Sequence, residues 1–192
     1  MTNDQMLNLL TEKICTCNRC PELADTRMQV VMDSGSRSAK ILMLGEAPGA
    51  DEDEKGEVFV GRAGQLLTNI IKACGLSRKE DVYMCNILKC RPPKNRKPTR
   101  QESENCAPFL RLQIKIMNPR IILCLGGVAA QNLLKTEDTI SELRGRWFKY
   151  EDGIVNADVL CTFHPSYLLR NPSAKKDVWE DMQSLVSKIS EV

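Results

Sequence analysis

Three groups of residues have the types and spacing that chemistry requires. The first is the block Gly45–Leu67, which reads GEAPGADEDEKGEVFVGRAGQLL. It follows the apolar run Ile41-Leu42-Met43-Leu44, turns at Gly45 and Gly49 around Pro48, and after an acidic run sets Phe59 between glycines. An apolar run, a glycine turn and a helix start describe a site at the C-terminal end of a parallel strand, where open α/β sheets bind ligands. A dinucleotide loop needs GxGxxG and a P-loop needs GK followed by Ser or Thr; neither occurs, and the acidic run repels phosphate. Taken alone, the block also fits an ordinary strand-to-helix turn.

The second group is thiol chemistry. Cys17-x-x-Cys20-Pro21 follows an expected helix, and Cys90 and Cys106 stand further on with fifteen residues between them. A CxxC pair plus two distant cysteines fits an iron–sulfur cluster or an all-cysteine zinc site, and the wide second spacing suits the cluster better. Cys15, Cys74, Cys85, Cys124 and Cys161 lie in or beside apolar segments and read as small buried hydrophobes. The third group is TFHPSYLLRNPS, around His164, the chain's one histidine. It stands where the last strand should end, and Pro165 stiffens the turn after it. Tyr167-Leu168-Leu169-Arg170 then reads as an exposed loop whose apolar bulk and cation suit a wedge into something stacked, although a helix start packed on the core fits the leucines equally well.

These residues need elements to position them. Apolar periodicity predicts a helix over Asp4–Ile14, a buried strand over Lys40–Leu44 and a helix over Ala63–Ala73 stopped by Gly75. Val82–Leu88 reads as a second strand, and Arg91–Pro98, with three prolines, as an irregular basic loop. Thr99-x-x-Glu102 is a capping box for a helix to Met117, kinked at Pro108. Ile121–Leu125 is a third strand, Val128–Leu134 a helix, Val159–Phe163 a last strand and Lys176–Ile189 a closing helix. Strands separated by helices imply an α/β protein, a three-layer α/β/α sandwich with a mostly parallel sheet.

Composition bounds the function. A chain of 192 residues with a formal net charge of +2 is expected to be one domain, without an overall basic field. No apolar run reaches membrane-spanning length, and the first residues lack a basic leader, so an intracellular, cytoplasmic protein away from membranes is expected. Nine cysteines then argue for thiols or metal ligands rather than disulfides.

Together GEAPGADEDEKGEVFVGRAGQLL, NILKCRPPKNRKP, HPSYLLR and the Cys17/Cys20 pair resemble the motifs of family 4 uracil-DNA glycosylases, in that family's order. The likeness runs from Cys17 to Arg170. It implies a single glycosylase domain over 1–192 with a central four-stranded parallel sheet and the base pocket at its C-terminal edge. It implies that Gly45, Glu46 and Ala47 line the pocket, that Phe59 stacks on a flipped uracil, that Asn86 pairs with the base edge, and that His164 contacts uracil O2. Glu46, Asn86 and His164 are then the catalytic set, and Cys17, Cys20, Cys90 and Cys106 the ligands of a 4Fe–4S cluster. Arg91, Lys94 and Arg96 would meet DNA phosphates, with Leu168, Leu169 and Arg170 at the minor groove. The implied partner is uracil-containing DNA, double- or single-stranded, met by a monomer.

Physical chemistry agrees with those roles. A base must leave the stack before its glycosidic bond can be attacked, and an amide offers both the donor and the acceptor that uracil's edge requires. A hydrogen-bond donor held at O2 stabilises the departing uracil anion. Two departures matter. Ala47 stands where another branch of the superfamily has aspartate, which leaves Glu46 as the nearest group to a water. Val58 replaces a proline common in the family, which should loosen the approach to Phe59. Two other readings remain open: the same fold acting on another deaminated or mismatched base, and a non-enzymatic iron–sulfur module that binds DNA.

Overall fold

The computed structural model describes residues 1–190. In chain order its elements are α1 (Asn3–Cys15), α2 (Pro21–Thr26), β1 (Ser34–Gly35), β2 (Ile41–Gly45), α3 (Ala50–Lys55), α4 (Arg62–Ala73), β3 (Val82–Asn86), α5 (Arg100–Met117), β4 (Ile121–Leu125), α6 (Gly127–Leu134), α7 (Ile140–Leu143), β5 (Trp147–Glu151), β6 (Asn156–Thr162), α8 (Pro165–Arg170) and α9 (Lys175–Ile189). The sheet runs β1-β3-β2-β4-β6-β5. It is therefore six-stranded and mixed, not four-stranded and parallel. The expected strands β3, β2, β4 and β6 form a parallel interior, and β1 and β5 add an antiparallel edge on each side. Both edges lack the continuous apolar run that marked the interior: β1 has two residues, and β5 is nowhere fully buried.

Alternation along the interior strands feeds two cores. Leu42, Leu44, Tyr83, Cys85, Ile122, Cys124, Val159 and Cys161 point to one face, where α1, α5 and α6 bring Leu7, Leu110, Ile114, Ala129 and Leu133. Ile41, Met43, Val82, Met84, Ile121, Leu123 and Leu160 point to the other, against Leu67 and Ile71 of α4 and Val178, Met182 and Leu185 of α9. Helices thus cover both faces of the sheet. The capping box at Thr99 and Glu102 is formed, and α5 continues as one helix through Pro108. Among the described residues, no helix is long and apolar enough to cross a membrane.

Candidate active site

Because β2, β3, β4 and β6 are parallel, Gly45, Asn86, Gly126 and His164 all fall at one edge of the sheet. Asn86, Gly126 and His164 line an open cavity of about 660 Å³ together with Glu46, Ala47, Phe59, Lys97 and Tyr167, whereas Gly45, expected to line it, lies behind Asn86 and Phe59. Asn86 is almost fully buried. Its main-chain carbonyl accepts from Lys89, whereas no protein group among the described residues hydrogen-bonds its carboxamide. A buried amide without a protein partner is satisfied by what enters the pocket.

The ring of Phe59 lies 6.0 Å from that of His164, tilted by 33°. Phe59 has φ of 56°, left-handed backbone that costs a bulky residue roughly 1–2 kcal/mol. Two charged side chains hold it there. Glu52 accepts from the N–H groups of Gly49, Val60 and Gly61 at 3.1, 3.0 and 2.9 Å. Arg78 donates to the carbonyls of Phe59 and Val58, both at 2.7 Å. Val58 is fully buried, so the loosening expected from the missing proline is offset by this clamp. Sequence reasoning missed both clamps. The acidic run was read as a phosphate repellent; it is α3, with Glu52 three residues after its N-cap Gly49 and Asp53 buried against the N–H groups of Met28 and Gln29.

Gly45 is required by proximity. A Cβ there would stand 2.3 Å from Asn86 Oδ1 and 2.6 Å from Phe59 Cζ, so any side chain would displace the two groups that frame the pocket. Gly126 plays the same part behind His164, whose Cβ would lie 2.9 Å from an added methyl.

His164 caps α8: its Nδ1 accepts from the Ser166 N–H at 3.1 Å and lies 2.8 Å from Ser166 Oγ. An accepting Nδ1 leaves the ring proton on Nε2. Burial, helped by Arg170, lowers the imidazole to about 4, so the ring is neutral near pH 7. Glu46 is shifted the other way: burial raises its carboxyl above the ordinary value, and Lys97 partly opposes the shift.

Two DNA-facing expectations are corrected. HPSYLLR is a helix, not an exposed loop: Pro165 occupies its first position, and the helical spacing turns Leu168 into the core, 1% exposed. Tyr167 and Leu169, 38% and 40% exposed, face outward beside exposed Arg170. Arg96 is not free for phosphate. Its guanidinium pairs with Glu102 at 2.7 Å and Glu22 at 2.8 Å, fastening the basic loop to α5 and α2. Arg91 donates to Asn95 Oδ1 at 2.7 Å, and Lys94 and Lys97 stand exposed.

Cys17, Cys20, Cys90 and Cys106 line a second, small cavity walled by Ile14, Leu23, Leu88 and Phe109. Segments distant in sequence thus bring four thiols to one apolar space. Among the described residues, no three His, Cys, Asp or Glu side chains gather closely enough for a single metal ion. Of the remaining cysteines, Cys85, Cys124 and Cys161 are buried as expected, whereas Cys15 is exposed and Cys74 half-buried.

An α/β sheet whose C-terminal edge holds a flat aromatic, an unpaired amide and a neutral histidine defines a pocket for a planar ligand with a polar edge. Comparison with known proteins gives that class a family. The model of the uracil DNA glycosylase superfamily matches residues 32–183. The chain is 41% identical to a type-4 uracil-DNA glycosylase of Thermotoga maritima, covering 98% of this chain and 97% of that one. It is 39% identical to a type-4 uracil-DNA glycosylase of Archaeoglobus fulgidus, covering 94% and 92%. A type-5 uracil-DNA glycosylase of Pyrobaculum aerophilum is more distant, 31% identical over 81% of this chain and 80% of that one. The chain belongs to the uracil DNA glycosylase superfamily, and within it to the type-4 group.

Proposed function

We propose that this chain is a DNA-repair glycosylase that takes uracil out of the DNA stack and hydrolyses its N-glycosidic bond, releasing free uracil and leaving an abasic site. One observation carries the reading: Phe59, Asn86 and His164, from three separate segments, line one pocket. Phe59 offers a π-face, worth roughly 1–3 kcal/mol to a stacked base. The Asn86 amide donates to uracil O4 and accepts from N3–H. As the bond breaks, negative charge gathers on the base, and the Nε2–H of neutral His164 donates to O2. Glu46, whose carboxyl burial raises above its ordinary value, holds the attacking water against the sugar's developing positive charge. The reading takes 1–192 as one glycosylase domain, acting as a monomer in the cytoplasm. Incubation with matched uracil- and inosine-containing oligonucleotides, single- and double-stranded, followed by alkali cleavage, tests it. Strand breaks at uracil alone are expected; no breaks at uracil would end the proposal.

Cys17, Cys20, Cys90 and Cys106 fit a 4Fe–4S cluster, because segments distant in sequence bring four thiols to one apolar cavity. Bound there, the cluster would hold the α1–α2 loop, the segment that follows β3, and α5 together through these four thiolates, and the residues assigned to the hydrolysis are not among them. Anaerobically purified protein should be brown, and Cys90→Ala should lose colour and solubility together. Stoichiometric zinc without iron in fresh protein would sink the assignment.

For DNA contact, exposed Arg170 and Lys97 line the pocket, and Leu169 and Lys94, also exposed, lie beside them in the chain. Leu169→Ala should slow excision from duplex more than from single strands, which need no wedge. Neutralising Lys94 and Lys97 together should flatten the salt dependence of binding without altering which base is released. Equal losses on both strand forms for Leu169→Ala would return the wedge role to other residues.

A further inference from the structure

Besides the four cysteines, the second cavity is bounded by three cations, Arg19, Arg27 and Lys89. Lys89 is fully buried, at 0% exposure. Buried lysines are rare because an ammonium loses its hydration and must find compensation. Its Nζ donates to the main-chain carbonyl of Asn86, a neutral partner that supplies geometry but no counter-charge. Its main-chain N–H donates to the sulfur of Cys106, on the four-cysteine site. Arg27 approaches the same site from α2: Nη1 donates to Cys90 Sγ at 3.0 Å, and Nη2 to the carbonyls of Cys15 and Cys17 at 3.2 and 3.0 Å.

Four thiolates on a cluster leave the assembly net negative inside an apolar cavity, where the charge needs cations. The sequence places the parts on one short segment: Asn86 reads the base, Lys89 follows three residues later, and Cys90 comes next. We infer that Lys89 is the buried counter-cation of the four-cysteine site and, through the Asn86 carbonyl, the strut that couples that site to the base-reading amide. Arg27 is the second counter-cation. Lys89 is thus a positioning residue, acting on uracil only through Asn86. The inference rests on the cluster reading above and adds to it a link between cluster and pocket.

The test uses anaerobically purified, iron-loaded protein and three variants. Lys89→Met removes charge and donor, Lys89→Gln removes charge but keeps an N–H for the Asn86 carbonyl, and Arg27→Gln removes charge at a partly exposed position. The readouts are iron per chain, midpoint potential by EPR-monitored titration, and Kd for a uracil-containing oligonucleotide. All three variants should shift the potential negative, since reduction adds charge to a site that has lost a cation. Lys89→Met should also weaken binding about tenfold, and Lys89→Gln should recover most of that binding while its potential stays shifted. A merely structural lysine would not separate the two readouts. If Lys89→Met fails to fold, Arg27→Gln still tests the counter-charge and Lys89→Gln the strut. Iron-loaded parent protein with unshifted potentials in the variants overturns the inference alone. Parent protein without iron removes the cluster reading and the inference with it.

Discussion

Asn86→Asp should lower single-turnover excision of uracil by at least about 10²-fold, and it should bring a trace of cytosine excision. The amide donor to O4 becomes a second acceptor, so a hydrogen bond is exchanged for a lone-pair repulsion at an almost fully buried side chain. A loss on the order of 3 kcal/mol follows from one unmade hydrogen bond to a buried polar group, and each 1.36 kcal/mol is tenfold in rate. Cytosine presents an amino group at the same position, which a carboxylate accepts. The orientation of the amide is what makes this selective, and packing holds it: Oδ1 lies where a Cβ on Gly45 would come within 2.3 Å. Gly45→Ala should therefore reproduce much of the loss without the cytosine activity, because it displaces the reader and leaves its polarity unchanged. Parallel assays on U- and C-containing oligonucleotides check both. Asn86→Asp protein that excises uracil at near the parental rate would show that another group reads the edge.

How far the sequence reaches is set by the range of the interactions. Interior strands announce themselves because burial on both faces writes a continuous apolar run, as in Ile41–Leu44 and Ile121–Leu125. The Thr99 box and the Gly45 turn are equally local, so the end of the sheet that carries the pocket was legible. What failed was long-range or mixed in signal. β1 is a strand because two residues pair with β3, across almost fifty positions of chain. Arg96 reads as one more cation of the basic loop, yet one of its carboxylates is Glu22, 74 residues away. Leu168 and Leu169 are neighbours of one type, and helical geometry alone sends one to the core and the other to solvent. Arg78 carried no motif at all, although it fixes the backbone of the stacking phenylalanine.

The histidine makes the second large prediction, and its pH behaviour separates chemistry from structure. His164→Ala should cost about 10²–10³ in the single-turnover rate, the worth of one donor to a developing anion. Selectivity for uracil over cytosine should survive, since O2 is common to both pyrimidines. With the imidazole lowered to about 4, the parental rate should show no step near pH 6.5. Its acid limb should instead follow Glu46, raised above the ordinary carboxylate, and Glu46→Gln should abolish that limb along with most of the rate. Stability has its own sign. Between pH 6.5 and about 4 the unfolded chain takes up a proton at this position that the folded chain refuses, so the fold weakens as pH falls through that window. His164→Ala removes the refusal, and its stability should decline less steeply across the same window. Denaturant titrations at pH 7 and pH 4.5, beside single-turnover rates at each pH, read both effects from the same two proteins. A variant that keeps the parental rate while flattening the stability slope would assign His164 to the cap of α8 alone and leave the uracil anion to main-chain N–H groups.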